Sequence, residues 1–293
     1  MADFSFNIAG VEFEVAVTGP QSERLGTYEA YPSRGGPVDV RIDLEVVPGL
    51  GKDDPEGPTY PAFETVRFSD TELVLSRKCA RGRIDIADNG TLHAQFQSHQ
   101  APSGLEAIIR IAASLALPHR DTLILHSSSV AGPEGALVFS GVSGAGKSTI
   151  STMLAEHCGA LKLADELLFV SKSGVSKSGS RWHVTVAPFK GSEGLPHGES
   201  RELASVNFLV QAPEHHRKPI APATAMNELC RHVVTYARAP KTSAKILGLV
   251  ADLVSAVPCY ELEFSKHPSV GEVLGITCEQ AGASIPWVKE EVE

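Results

Sequence analysis

The sequence has few cysteines, no excess of positive charge and no long hydrophobic run, and each lack excludes a class of protein. Its five cysteines are scattered and none forms a CxxC pair. We therefore predict neither a disulfide framework nor a zinc site, and we expect free thiols in a reducing cytosol. The 26 basic and 35 acidic residues give a formal net charge of −9, which disfavours nucleic-acid binding. The most apolar segment, IIRIAASLALP, is short and contains Arg110, so no membrane span is expected.

The remaining composition is that of an ordinary globular protein. The chain has 293 residues, of which 42% are hydrophobic and 21% charged, and this length suffices for one large domain or two small ones. The first residues, MADFSFNIAG, contain an early acid and alternate in polarity, unlike a secretory leader. We expect a cytoplasmic protein.

The first hundred residues carry the pattern of β-strands. Apolar and polar residues alternate with a period of two, which is typical of half-buried antiparallel strands. The alternating segments are VEFEVAV (11–17), VDVRIDLEV (38–46), VRF (66–68), ELVLS (72–76), RGRIDIA (81–87) and TLHAQF (91–96). We predict that residues 1–102 form a β-rich amino-terminal domain of unknown role.

A different pattern begins at residue 103 and predicts a second domain, residues 103–293. SGLE (103–106) is typical of a capping box, and the helix that it opens should end at Pro118. Two hydrophobic strands follow, TLILHSSSV and ALVFS, and the second leads into a glycine-rich segment. The elements predicted after that segment are a helix at 149–158, strands at 161–164, 167–170, 181–186 and 206–210, helices at 224–237 and 242–256, and a strand at 258–264. The fold class is therefore mixed α/β.

The glycine-rich segment, GVSGAGKST (141–149), satisfies the pattern GxxxxGK[ST]. Its glycines allow successive backbone N–H groups to point at a phosphate, at the positive end of the following helix. Lys147 supplies charge for the β- and γ-phosphates, and the Ser148 hydroxyl can ligate Mg²⁺. The strand before the segment and the helix after it are the context that this motif requires. The predicted phosphate-binding residues are Gly141, Ser143, Gly144, Ala145, Gly146, Lys147, Ser148 and Thr149.

An acidic pair, Asp165 and Glu166, ends the very next predicted strand, eighteen residues after Lys147. A carboxylate at a strand tip beside the phosphate loop can hold a metal through water, or accept the proton of an incoming hydroxyl. We predict that Ser148, Asp165 and Glu166 form the metal site, with ATP and Mg²⁺ as cofactors. No motif in the sequence distinguishes ATP from GTP.

This compact order of motifs resembles the HPr kinase/phosphorylase family and, more remotely, the phosphoenolpyruvate carboxykinases. The resemblance rests on LHSSSV (125–130), GVSGAGKST (141–149) and LADELLFV (163–170). It implies a P-loop kinase core of that type, which transfers the γ-phosphoryl group of ATP to a serine-type hydroxyl. It also implies that Asp165 is the catalytic base, that Glu166 stands where the family commonly has a second Asp, and that His126 lies close to the phosphates.

Two further features bear on the substrate. The loop from Pro188 to Leu203 is long and polar, and such loops often close over a substrate. Lys190 or Arg201 could meet the transferred phosphate there, and the planar guanidinium favours Arg201. The other ten histidines are expected in solvated loops.

The chain also departs from the family pattern. The downstream glycine- and arginine-containing signature has no clear counterpart, and the β-rich first part is unlike the family's amino-terminal domain. We therefore expect an acceptor other than HPr, a hydroxyl-bearing peptide, protein or small molecule, with homo-oligomerisation as a further option and no nucleic-acid or membrane partner. Two alternatives stay open: an ATPase or nucleotide switch that acts on a protein partner through the β-rich part, and a non-catalytic nucleotide-binding regulatory module.

Overall fold

The structure, a computed structural model, shows a strand-rich mixed α/β fold with two mixed sheets. It describes residues 2–20, 28, 31–50, 64–69, 72–77, 80–87, 89–99, 101–176, 179–189, 200–235 and 240–278. Among these residues, no helix is long and apolar enough to cross a bilayer. The chain divides into two compact units, one of Met1–Ile124 with Val234–Leu249 and one of Leu125–Val233 with Val250–Glu293.

The first unit is built on a seven-stranded sheet. Its strands are β1 (Ala2–Ile8), β2 (Val11–Thr18), β3 (Val40–Val46), β4 (Glu64–Phe68), β5 (Glu72–Arg77), β6 (Ala80–Ile86) and β7 (Leu92–Ser98). They lie in the order β1-β2-β3-β7-β6-β5-β4. The predicted alternation is confirmed in β3, where Val40, Ile42, Leu44 and Val46 are buried and the residues between them are not. Helix α1 (Ala101–Ala116) lies against β2, β3 and β7, and a 3₁₀ turn, Leu117–Arg120, follows it.

Two details of the first unit correct the sequence-based predictions. β2 and β3 are parallel to each other rather than antiparallel, and β3 is also parallel to β7. The antiparallel partner of β2 is β1, a strand that the sequence analysis did not assign. Helix α1 begins at Ala101 and not at a capping box, so Ser103 lies inside it. Pro102 is a better start signal, because proline is favoured in the first turn of a helix.

A buried acid, Glu12, ties the loop before β3 to the first hairpin. Its side chain is 4% exposed and accepts hydrogen bonds from Asn7 Nδ2 at 2.9 Å, from the Arg34 backbone N–H at 3.2 Å and from the Ser33 hydroxyl. Burial raises the pKa of Glu12, but these hydrogen bonds outweigh that effect and leave the pKa below its ordinary value. The ionised form is therefore the one that the fold stabilises.

We expect Glu12→Ala to lower the free energy of unfolding by about 3 kcal/mol, because the buried donors around it lose their acceptor. Since the pKa of Glu12 is lowered in the fold, its contribution is present above its unfolded pKa and is lost as the pH falls through the folded value. Urea unfolding at pH 7 and pH 3.5 measures both effects. Glu14→Ala is the matched control, since the ion pair of Glu14 with Arg41 is exposed and its loss should cost less than about 1 kcal/mol. Equal losses in the two variants would contradict the assignment.

The second unit contains most of a nine-stranded sheet. Its strands are β8 (Thr122–His126), β9 (Ser128–Gly132), β10 (Gly135–Ser140), β11 (Leu161–Ala164), β12 (Leu167–Ser176), β13 (Gly179–Val186), β14 (Ser200–Gln211), β15 (His216–Pro219) and β16 (Cys259–Phe264). The order is β11-β9-β10-β14-β13-β12-β8, and β16 pairs with β14 and with β15. β10, β14 and β16 run parallel to one another.

Four further helices occur in the described part of the chain: α2 (Lys147–Cys158), α3 (Pro222–Cys230), α4 (Pro240–Ala256) and α5 (Val270–Val273). The division between the units falls within β8 and within α4. Residues of α2 and α5, among them Ile150, Leu154 and Val270, share one buried core with Phe139 of β10 and Leu262 of β16. This core packs α2 against β10 and its neighbours in the sheet.

Several predicted elements of this unit differ in extent. TLILHSSSV is not one strand, because the strand is interrupted at Ser127, between β8 and β9. The predicted strand pair at 167–170 and 181–186 is confirmed, but it extends to Ser176 and from Gly179, so most of the segment interpreted as its connection is strand. The helix predicted at 224–237 ends at Cys230. β15 and α5 were not predicted.

The prediction that all cysteines are free thiols is wrong for two of them. Cys158, at the end of α2, forms a disulfide with Cys278 across a sequence separation of 120 residues. Cys230 and Cys259 are free, and Cys79 lies outside the described residues. The separation explains the error, since neither cysteine has a neighbour in sequence that would indicate a pair.

Candidate functional site

The glycine-rich segment forms a turn between the end of β10 and the start of α2. Gly144 and Gly146 have φ angles of 79° and 101°, a left-handed conformation that residues with a side chain rarely adopt. Gly146 also lies so close to Phe264 that a Cβ atom there would be 2.7 Å from the phenyl Cζ. Both backbone conformation and space therefore require glycine at position 146.

Lys147 begins α2 and turns its side chain back over the loop. Its Nζ donates hydrogen bonds to the Gly141 carbonyl at 2.9 Å and to the Val142 carbonyl at 3.3 Å. Burial lowers the pKa of Lys147. The Ser128 hydroxyl donates to the Lys147 carbonyl at 2.7 Å, and this contact fixes the first turn of α2 against β9.

The other predicted loop residues differ in their exposure. Ser143 and Gly144 are exposed at the turn, Ala145 is buried, and its N–H donates to the Val142 carbonyl at 3.0 Å. Ser148 is exposed and Thr149 is half-buried in the first turn of the helix. The Ser148 hydroxyl is therefore accessible at the helix start.

The acidic pair follows β11, as the sequence predicted, and one of its members is tied to α2. Lys162 Nζ donates to Asp165 Oδ2 at 2.7 Å and to Thr152 Oγ1 at 3.2 Å. Thr152 lies one helical turn after Ser148, so the two share a face of α2. Asp165 Oδ1 is buried and has no hydrogen-bond partner among the described residues. A buried carboxylate oxygen without a partner is costly, which marks this atom as a candidate ligand or proton acceptor.

His126 ends β8 beside the acidic pair. The next residue, Ser127, donates its backbone N–H to the Glu166 carbonyl at 3.1 Å, so the break between β8 and β9 brings the two segments together. Burial lowers the pKa of His126, the nearby charge of Lys147 lowers it further, and Glu166 raises it. His126 is therefore within the electrostatic influence of both Lys147 and Glu166.

A second histidine, His232, belongs to the same cluster and was missed by the sequence analysis. It is 7% exposed, and its carbonyl accepts the His126 backbone N–H at 2.9 Å. Burial lowers its pKa and the charge of Lys147 lowers it further. The expectation of a solvated loop position is therefore wrong for His232. No spacing rule could have found it, because it lies 85 residues beyond Lys147 in sequence.

The structure does not bring Arg201 to this cluster. Arg201 lies near the start of β14, opposite Val184 of β13, whereas Ser140 at the loop pairs with Phe208. Seven residues of strand, roughly 23 Å of chain, separate Arg201 from Phe208. Lys190 lies outside the described residues.

Comparison with known proteins finds likeness among solved structures. No protein-family model and no curated protein sequence matches the chain. The chain is similar to a solved structure, the Hpr(Ser) kinase/phosphatase from Coxiella burnetii, over 52% of this chain and 93% of that one. The sequence identity is 11% and the TM-score is 0.28. A TM-score this low does not establish a common fold, so function has to be inferred from the site itself.

Proposed function

We propose that the chain is an ATP- and Mg²⁺-dependent kinase that transfers the γ-phosphoryl group to a serine-type hydroxyl of a peptide, a protein or a small metabolite. One observation carries the proposal: Lys162 joins the Asp165 carboxylate to Thr152 of α2. α2 is the helix that follows the glycine-rich loop and begins at Lys147. The groups that we propose to bind phosphate and to accept a proton belong to the same unit.

The loop would bind the phosphates as a P-loop. Its backbone N–H groups lie at the amino terminus of α2, a helix of twelve residues, where the helix dipole favours negative charge. Lys147 at present donates to two loop carbonyls and would exchange them for β- and γ-phosphate oxygens. His126 and His232 both lie within the influence of the Lys147 charge, which adds to burial in lowering the pKa of each, so both imidazoles would stand near the anion that Lys147 binds.

The residues present fit a magnesium ion. Mg²⁺ prefers hard oxygen ligands and is usually held by one or two carboxylates together with substrate phosphates and water. The Ser148 hydroxyl is exposed, Asp165 Oδ1 has no partner in the described part of the chain, and Glu166 is exposed beside it. No group of three or more His, Cys, Asp or Glu side chains that could hold a metal lies in the described part of the chain, so this site would need the phosphates of the nucleotide as further ligands. When bound, the ion neutralises the charge of the transferred phosphoryl group.

Asp165 would act as the general base. Lys162 holds Oδ2, which orients the carboxylate and leaves Oδ1 to accept the proton of the attacking hydroxyl. Transfer then depends chiefly on positioning and charge neutralisation, since phosphoryl transfer needs little covalent chemistry from the protein.

The remaining parts of the proposal concern organisation. We assign the kinase-like function to a domain spanning residues 103–293 and leave the β-rich domain 1–102 without a role. The proposed acceptor carries a hydroxyl group, and neither nucleic acid nor membrane is a proposed partner. A cytoplasmic location and self-association are further parts of the proposal.

One incubation tests the function. The purified chain is mixed with γ-labelled ATP, Mg²⁺ and a cytosolic extract of its source, and the products are separated. A labelled peptide or metabolite that requires the chain supports the kinase. Free phosphate without a labelled product would instead indicate an ATPase switch, and ATP binding without turnover would indicate a nucleotide sensor.

A further inference from the structure

A cavity adjoins the glycine-rich loop at the carboxyl edge of the parallel strands. Its volume is about 320 Å³, within the range of small-ligand sites. Gln211, Ala212 and Pro213 line it from the end of β14, and Phe264 and Lys266 line it from the end of β16. β10, β14 and β16 are mutually parallel, with Gln211 paired to Phe264 and Ser140 to Phe208. Ligands of open α/β sheets bind beyond the carboxyl ends of such strands.

The cavity and the loop are physically continuous. Gly146, the last residue before α2, lines the cavity, and the Phe264 ring lies against it. Gln211 Nε2 donates a hydrogen bond to the Gly144 carbonyl at 2.8 Å. The cavity wall therefore supports the loop conformation that presents its amides, and anything bound in the cavity contacts the loop through Gly146.

The lining suits a flat aromatic ring attached to an anion. Ala212, Pro213 and Phe264 give it apolar walls, and none of the lining residues is acidic. Lys266 adds positive charge beside the loop. A free phosphate or a carboxylate would gain little from apolar walls, whereas a heteroaromatic base buries its faces there and keeps polar edges for the Gln211 amide.

We propose that this cavity holds the heteroaromatic base of the nucleoside triphosphate whose phosphates occupy the loop. The inference rests on the proposed function and adds a site for the base, formed by Gln211, Ala212, Pro213, Phe264 and Lys266. Gln211 is a positioning residue that links the base to the loop through the Gly144 carbonyl.

The test compares ATP with inorganic triphosphate, each with Mg²⁺, by calorimetric titration. Inorganic triphosphate has the phosphates but no base, so the unchanged chain should bind ATP at least about tenfold more tightly. Ala212→Trp fills the cavity and should abolish that preference while changing the affinity for triphosphate by less than roughly threefold. Pro213→Trp, at the exposed rim, should act in the same direction, and it covers the case in which Ala212→Trp does not fold.

Val210→Trp is the matched control. Val210 is 40% exposed, is the residue before Gln211 and is absent from the cavity lining, so it should retain the preference for ATP. An ATP preference that survives both Ala212→Trp and Pro213→Trp would overturn the base site and leave the proposed function standing. Equal affinities of the unchanged chain for ATP and triphosphate would also overturn it. If neither compound binds, the proposed function is wrong and the base site falls with it.

Discussion

An Asp165→Asn variant is expected to bind ATP nearly as tightly as the unchanged chain and to lose phosphoryl transfer by roughly 10³-fold. The amide has the shape of the carboxylate, and its single oxygen can keep the hydrogen bond from Lys162. Lys147 and the loop N–H groups, which would hold the phosphates, are unchanged, so nucleotide binding should survive. The amide cannot accept the proton of an attacking hydroxyl. Label transfer from γ-labelled ATP to the acceptor in extract measures the loss, and calorimetry measures ATP binding.

Asp252→Asn provides the matched control for that variant. Asp252 is another carboxylate paired with a lysine, Lys172, at 2.7 Å, but its side chain is 53% exposed and has no contact with the loop among the interactions of the described residues. It should transfer label at the normal rate. An Asp165→Asn variant as active as this control would refute the assignment of the base. A loss of ATP binding in step with transfer would point to a structural role of the Lys162–Asp165 pair.

The proposed site could be anticipated from sequence because most of it is local. Lys147, Ser148 and Asp165 lie within one strand–loop–helix–strand segment, and the end of one element determines where the next begins. The contributions of Gln211 and His232 could not be anticipated in this way. Gln211 contacts the Gly144 carbonyl of the loop because β14 pairs with β10, and the His232 carbonyl accepts the N–H of His126 at the end of β8. Both contacts join residues more than sixty positions apart in sequence.

The fold shows the same limit. A period of two identifies which residues of β2 and β3 are buried, but it does not identify the partner strand or its direction. The parallel pairing of these strands therefore became visible only in the structure. Likewise, nothing in TLILHSSSV indicates that the strand is interrupted at Ser127. Leu125 and Ser128, on either side of the interruption, are both fully buried, so the burial pattern does not mark it either. That break is what places His126 beside Glu166.

Replacing Cys158 by serine is expected to lower the free energy of unfolding by roughly 4 kcal/mol, because the disulfide to Cys278 closes a long loop in the unfolded chain. The separation of 120 residues makes the loss of chain entropy on closure large. The bond also joins the end of α2 to the segment that follows α5, and both helices contribute to the core beneath the glycine-rich loop. Urea unfolding with and without dithiothreitol measures the effect.

Three comparisons make this prediction specific to the disulfide. The double variant Cys158→Ser with Cys278→Ser should lose no more stability than the single one, because the two changes remove the same bond. Dithiothreitol should destabilise the unchanged chain to the same extent and leave both variants unaffected. Cys230→Ser, which replaces a free and partly buried thiol, should cost less than about 1 kcal/mol. Since disulfides persist mainly in oxidising surroundings, an unchanged chain that is indifferent to reductant would show that the bond does not form, and the original expectation of free thiols at Cys158 and Cys278 would stand.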